Sequence, residues 1–515
     1  MTAQHGPTRR AVLVGAASLA AAAPALVSRQ PQSVAASAGR FIGERLPSGV
    51  SRFLGIRYGR AARFQPPVAE PPQQTAIRAV DFAPVAPQRS KRAPQSEDSL
   101  FLNIWTPAAD RRAKLPVMVY IHGGAYAFGS GTDAVNDGAR LAERGVVVVT
   151  VNHRLNALGY LYLGRLDPRF PDSGNAGQLD LALGLKWIRD NIASFGGDAA
   201  CVMAFGDSGG GAKVTTLLAM PAAAGLVHRA ATMSGQQVTA SGPLNATRRT
   251  RAFLDALGIA DHDLSQLVSL PTERLLEGLD AVDPVHGGPV LDQRTLLRHP
   301  FWPDPHPQSL AIPMMTGNTR DEMRAFNEPD SQFVRDMNWT NVAQRIGDEL
   351  PVDVLPEWIV AEFRRRLPTA APVDIFFMAT TAGRSWRGQL EIAEARAKAD
   401  RPVWLYQVNF TSRATPWRGA FHSIDVPLVF GTIDAPGADT GNDASVRQMS
   451  RTIQDRFVAF ARAGNPALPG APQWPPYDLT RRATMIFDDV SRVENDPRAW
   501  QRELFARAPY MQPGS

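Results

Sequence analysis

The pentapeptide GDSGG at residues 206–210 is where the chain's chemistry is most readable. A serine between glycines fits G-x-S-x-G, a pattern common enough in loops that its flanks decide its meaning. CVMAF before it reads as a buried strand, and GAKVTTLLAM after it reads as a helix. A strand that turns at once into a helix presses two backbones together, so only small residues fit beside the serine. The same turn lifts the Ser208 hydroxyl clear of the sheet. The helix N-terminus behind it directs donors at any negative charge that develops there. The chemistry this suits is nucleophilic attack on a carbonyl carbon.

GDSGG also marks the chymotrypsin-like proteases, all-β proteins whose triad runs His, Asp, Ser along the chain. Here a helical pattern follows the serine and no TAAHC-like segment precedes it, which excludes that reading.

A serine hydroxyl is a poor nucleophile until a base takes its proton. His228, His262, His286, His299 and His306 follow the serine, and the next histidine is His422. In a strand–turn–helix site the order is serine, then an acid after a later strand, then histidine. IPMMTG followed by NTRDE offers Asp321 or Glu322 as that acid, and either choice leaves His422 as the one histidine downstream. For the developing oxyanion, HGGAY at 122–126 follows the apolar run PVMVYI. Its small residues let backbone N–H groups approach, and Gly209 adds a further N–H.

These residues need a scaffold, and the sequence supplies one. PVMVYI and VVVVTV are continuous β-rich runs of the kind buried on both faces, with DAVNDGARLAERG between them reading as a helix. AGQLDLALGLKWIRDNI reads as a long amphipathic helix with Leu179, Leu183, Trp187 and Ile188 near one face. RAATMS, IPMMTG and PVWLYQVNF suggest further strands. The alternation implies a mostly parallel sheet with helices on both faces. Residues 323–399 read as helical, placed to cover a site; Met323, Phe326, Trp386 and Trp417 are candidates for its lining, with core packing the plainer role for each.

The bulk numbers fit an ordinary globular enzyme: 515 residues, 44% hydrophobic and 20% charged. A formal net charge of +6 without a long basic run gives no reason to expect a nucleic-acid partner. Cys201, the single cysteine, excludes an internal disulfide and any paired-cysteine metal site; its apolar context suggests a packed core thiol. Arg9 and Arg10 precede the uncharged AVLVGAASLAAAAPALV, which together read as an export signal of the twin-arginine type. Cleavage is expected after Ala25 or Ala38. The expectation is therefore a signal over 1–38 and one domain over 39–515, exported to the periplasm or secreted, with no stable membrane anchor once the signal is removed.

Ordered along the chain, these motifs resemble the type-B carboxylesterase family, which includes bacterial esterases and the cholinesterases. The matching segments are FLGIRYG (53–59), SEDSLFLNIWTP (96–107), PVMVYIHGGAYAFGSG (116–131), GNAGQLDLALGLKWIRDNIASFGGD (174–198) and FGDSGGG (205–211). Later ones are MSGQ (233–236), TGNTRDE (316–322), HSIDVPLVFG (422–431) and GNPALPGAPQWPPY (464–477). The resemblance implies an α/β-hydrolase fold: a central, mostly parallel sheet with helices on both faces and helical insertions over the active site. It implies a triad of Ser208, Glu322 and His422, with Asp321 structural. It implies an oxyanion hole of Gly124, Ala125 and Gly209, and supporting roles for Asp207 and Ser234. No cofactor or metal is implied.

Several positions depart from the family pattern. Asp207 and Gly209 stand where Glu and Ala are usual, which shortens the reach of the first toward an active-site water and loosens the second. Ser99 and Ala86 stand where the family often has a disulfide, and Arg57 where it has proline. The function implied is hydrolysis of small-molecule carboxylic esters through an acyl-enzyme. The alternatives are carbamate, amide or lipid-ester hydrolysis on the same fold, or a catalytically silent binding module.

Overall fold

The computed structural model describes residues 30–90, 92, 94–279, 282, 287–350 and 352–513. The arginine pair and apolar run of the expected export signal lie outside these residues, as does His286.

One sheet organises the molecule. Its strands are β1 (Gln30–Ala36), β2 (Gly39–Arg45), β3 (Ser51–Arg57), β4 (Phe101–Thr106), β5 (Leu115–Ile121) and β6 (Val147–Val151). They continue as β7 (Gly197–Asp207), β8 (Arg229–Met233), β9 (Met314–Thr319), β10 (Val403–Val408), β11 (Ala483–Phe487) and β12 (Arg492–Asn495). The spatial order is β1-β2-β3-β4-β6-β5-β7-β8-β9-β10-β11-β12, with the two-residue Ile77–Arg78 strand beside β2. From β6 through β11 every pairing is parallel. Both margins are antiparallel. The β1–β2 hairpin places residues 30–36 in the sheet, inside the stretch assigned to the signal.

The helices that matter here are α1 (Ala176–Asn191), α2 (Gly209–Leu217), α3 (Val342–Glu349), α4 (Pro356–Arg366), α5 (Pro372–Thr380), α6 (Arg387–Lys398), α7 (Asp425–Phe430) and α8 (Ala444–Ala463). Strand β5 shows why they take both faces. Val117, Val119 and Ile121 pack with Leu181, Leu185 and Ile188 of α1, Val214 of α2 and Leu390 of α6. Met118 and Tyr120 turn the other way, onto Leu428 of α7 and Ile453 and Phe457 of α8. Successive side chains point to opposite faces, so a strand sandwiched between helices must be apolar at every position. The buried face of α1 is centred on Leu181, Leu185 and Ile188, while Leu179 and Leu183 are only partly buried.

The helical region after β9 forms a body of its own. Val342, Ile346, Ile359, Phe363, Phe376 and Phe377 of α3, α4 and α5 pack together with Met323. The helix expected over 133–145 is broken into a 3₁₀ turn (Ala134–Asn136) and one α turn (Ala139–Ala142). Asp137 interrupts it by accepting the Ala139 N–H at 2.8 Å, a local bond that competes with helix continuation. Cys201 is half-buried, not a core thiol, because it lies in the irregular first half of the long strand β7.

Two family departures gain a physical account. Without a disulfide, the loop between Ala86 and Ser99 is tied by Gln88. Its amide oxygen accepts the Gly129 N–H at 2.8 Å and its amide nitrogen donates to the Gly129 carbonyl at 3.0 Å. Arg57 pairs with Asp98 and lies 4.4 Å over the Phe101 ring.

Candidate active site

The parallel strands deliver their C-terminal ends to one rim, where open α/β sheets place their sites. Ser208 follows β7, Glu322 follows β9, His422 follows β10 and the 122–125 turn follows β5. All three side chains line one cleft, together with Gly124, Ala125, Asp207, Gly209 and Ser234.

Ser208 sits between strand and helix at φ +54°, ψ −125°, a conformation L residues rarely adopt. Such strain costs about 1–3 kcal/mol and persists only where neighbours fix it. Here the Ser208 N–H donates to the Met233 carbonyl at 2.7 Å, and its carbonyl accepts from Ala212 at 3.1 Å. The flanking glycines are required by contact: a Cβ on Gly210 would lie 2.0 Å from the Ile121 oxygen, and one on Gly206 2.5 Å from the Gly210 carbonyl carbon.

Glu322 is 2% exposed. One carboxylate oxygen accepts the Thr319 N–H at 2.9 Å, and the other meets Nδ1 of His422. Burial opposes its ionisation, but the His422 charge and hydrogen bond, with the Ser234 hydroxyl, hold its pKa below the ordinary carboxylate value. Ser234 lines the same cleft from a second left-handed turn, φ +53°, fixed by an N–H bond to the Gly317 carbonyl at 2.8 Å. Asp321, the alternative acid, faces elsewhere: it accepts the Ala420 N–H at 2.9 Å and pairs with Arg320 at 3.0 Å, so it ties down the loop that carries His422.

His422 is surrounded by carboxylates. Burial alone would lower its pKa, but Glu322 and Asp207 outweigh that and raise it to about 9. Asp207, immediately before Ser208, is raised to about 6 by burial. It accepts the Ser423 hydroxyl at 2.6 Å, which is the partner its shorter side chain finds. Asp425 is also buried nearby and accepts the Tyr406 hydroxyl at 3.2 Å; burial and the Asp207 charge push its pKa well up.

The turn after β5 is wound tightly. Gly124 (φ +86°) and Ala125 (φ +49°) are both left-handed, and the Gly124 carbonyl accepts N–H bonds from Ala127 and Phe128, each at 3.1 Å. Gly209 opens α2 and packs directly against this turn, lining the same cleft.

Of the side chains considered for the lining, Met323 and Phe326 face the cleft, and the Phe326 ring lies 5.2 Å from that of His422. Trp386 is buried in the sheet core and Trp417 packs on the α3–α5 cluster. His228, His299 and His306 instead accept backbone N–H groups from Val202, Ala240 and Gln308. Sequence reasoning missed Lys213, Ser423 and Asp425. A lysine five residues after Ser208, in a helix whose other residues carry no charge, was the available signal for the first. Among the described residues no group of His, Cys, Asp or Glu is arranged to hold a metal ion.

Over most of its length the chain is similar to known proteins. The model of the carboxylesterase family matches residues 30–504. The para-nitrobenzyl esterase of Bacillus subtilis is 34% identical over 483 residues, covering 88% of this chain and 95% of the relative. A probable N-octanoylanthranilate hydrolase of Rhodococcus erythropolis is 31% identical, covering 85% and 95%. Among solved structures, a Geobacillus stearothermophilus carboxylesterase superposes with a TM-score of 0.83 at 34% identity, covering 92% of this chain and 99% of its own. The chain belongs to the carboxylesterase family and is a serine-dependent carboxylic ester hydrolase of the α/β-hydrolase fold.

Proposed function

We propose that Ser208, His422 and Glu322 carry out ester hydrolysis in two acyl-transfer steps. His422 takes the Ser208 proton as the hydroxyl oxygen attacks the ester carbonyl, and then passes it to the departing alcohol. A water deprotonated by His422 releases the acid from the acyl-enzyme. Glu322 keeps the imidazole in the tautomer with its proton on Nδ1 and stabilises the imidazolium. The N–H groups of Gly124, Ala125 and Gly209 receive the oxyanion. The observation that carries this reading is the buried contact of Glu322 with His422 Nδ1, in the same cleft as a serine held on a strained elbow.

Phe128, Met323, Phe326, Phe333 and Phe376 give that cleft apolar walls. They favour esters of small molecules with an aryl or alkyl group over strongly polar ones. Carbamates, amides and long-chain esters would use the same acyl chemistry, and rates across matched series separate them. Rapid mixing with a p-nitrophenyl ester tests the mechanism. A burst of nitrophenol equal to the enzyme concentration is expected, absent in Ser208→Ala; a burst of the same size in that variant would refute the assignment.

Export by the twin-arginine route is part of the same proposal. Cleavage after Ala25 would leave β1 whole, whereas cleavage after Ala38 would remove it from the sheet. N-terminal sequencing of exported protein distinguishes the two sites, and finding only uncleaved protein in the cytoplasm would contradict export.

A further inference from the structure

We infer that Lys213 is a positioning residue for the oxyanion-binding turn, holding the carbonyls at both ends of that turn against the helix that follows Ser208. The inference rests on the assignment of Ser208 as nucleophile and of Gly124, Ala125 and Gly209 as oxyanion donors.

Lys213 lies in the first turns of α2 with its side chain fully buried. Every other residue of that helix is glycine, alanine, valine, threonine or leucine. A position that only had to fill space there would be apolar, because an ammonium group loses its hydration on burial. Burial pushes the Lys213 pKa down to about 7, with no neighbouring carboxylate acting to hold it up. What the group does instead is donate. Its Nζ lies 2.6 Å from the Ala125 oxygen and 3.3 Å from the His122 oxygen. It also lies 5.2 Å from the ring centre of Tyr126, the residue that leaves the turn. Charged or neutral, the amine keeps N–H donors, so both contacts survive its titration.

The two carbonyls bracket Gly123, Gly124 and Ala125, the stretch that presents the oxyanion donors. Ala125 has a side chain and yet stands at φ +49°, so the turn needs outside restraint to stay there. The opposing helix shows how closely the turn is drawn in. A Cβ on Gly209 would fall 2.2 Å from the Ala125 oxygen and 2.4 Å from the Ala125 Cα. The Lys213 contact and the missing methyl group at 209 therefore fit together: the first pulls Ala125 onto the helix, and the second leaves it room. This accounts for glycine at a position where the family pattern has alanine.

A trifluoromethyl ketone tests the inference. Ser208 adds to its carbonyl, the serine proton passes to His422, and the resulting hemiketal oxygen occupies the oxyanion position. Lys213→Met keeps the chain length and removes the donor. Losing one oxyanion donor outright costs about 100-fold or more, so displacing two is expected to weaken ketone inhibition and lower kcat by about tenfold or more. KM should stay near its wild-type value, since a ground-state ester does not need the hole. A purely structural lysine would lower the melting temperature and leave ketone affinity and kcat unchanged, and that result overturns the inference. If Lys213→Met does not fold, Gly209→Ala decides. The added methyl must displace a turn held against the helix, so ketone affinity is expected to fall at least about tenfold; unchanged affinity would show the turn free to move. A wild-type enzyme indifferent to the ketone would instead overturn the Ser208 assignment, and this inference with it.

Discussion

The Ser423 hydroxyl donates to Asp207 at 2.6 Å, joining the residue after His422 to the residue before Ser208. Two turns from opposite sides of the cleft are thereby stapled, and the staple ends on a carboxylate that is 4% exposed. Ser423→Ala leaves that buried oxygen without its donor. A loss of about 1–3 kcal/mol in urea denaturation is expected. Unchanged stability would show that water replaces the hydroxyl at no cost.

The carboxylates around His422 set the pH dependence. With its pKa raised to about 9, the free enzyme holds His422 as imidazolium at neutral pH. In the proposed mechanism His422 must be neutral to accept a proton, so kcat/KM is expected to climb with pH toward a plateau above about 9. Asp207→Asn removes one of the charges responsible and should move that limb to lower pH. The linked stability has a definite sign. A histidine normally titrates near about 6.5, so its ion pair contributes fully below that pH and is lost as pH rises through the folded value. Glu322→Gln removes the largest of these charges, so it should weaken this dependence and lower kcat by about 1000-fold or more.

Phe326 is 57% exposed and stands over His422 at the mouth of the cleft. An aryl ester that stacks there would bury a ring face that is open in the free enzyme. Phe326→Ala should raise KM for aryl esters by about three- to tenfold and leave that for methyl acetate unchanged. Equal effects on both would place the ring in catalysis or folding, not in recognition.

Away from the cleft, Arg154 and Asp180 form a buried ion pair, their side chains 4% and 0% exposed. Arg154 Nη2 and Nε reach the two carboxylate oxygens at 2.7 and 2.9 Å, and Nη1 donates to the Ala62 and Gln65 carbonyls. Asp180→Ala strands a buried guanidinium. A loss of about 3–5 kcal/mol is expected. Chemical denaturation of the variant measures it.

Much of this was legible in the sequence because parallel strands between two helical layers must be continuously apolar. Leu115–Ile121, Val147–Val151 and Val403–Val408 are therefore visible as runs. The elbow was legible because its glycines are forced by backbone contact. His422 was legible because chain order leaves one histidine after the acidic loop. What stayed hidden depends on side chains meeting from distant segments. Lys213 shows in the sequence only as a lone charge in a helix of small and apolar residues until the 122–125 turn is placed beside it, and Ser423 reads as loop polarity until Asp207 faces it. The broken helix at 134–142 was hidden for a smaller reason: Asp137 bonds the backbone locally, and periodicity does not register that.

In the proposed mechanism the Ser208 oxygen is the atom that becomes acylated. Treating the enzyme with a fluorophosphonate and mapping the adduct by peptide mass spectrometry tests it directly. One phosphonyl group per chain is expected, on Ser208, with labelling lost in Ser208→Ala and strongly slowed in His422→Ala. Inactivation accompanied by labelling of another residue, with Ser208 unmodified, would contradict it.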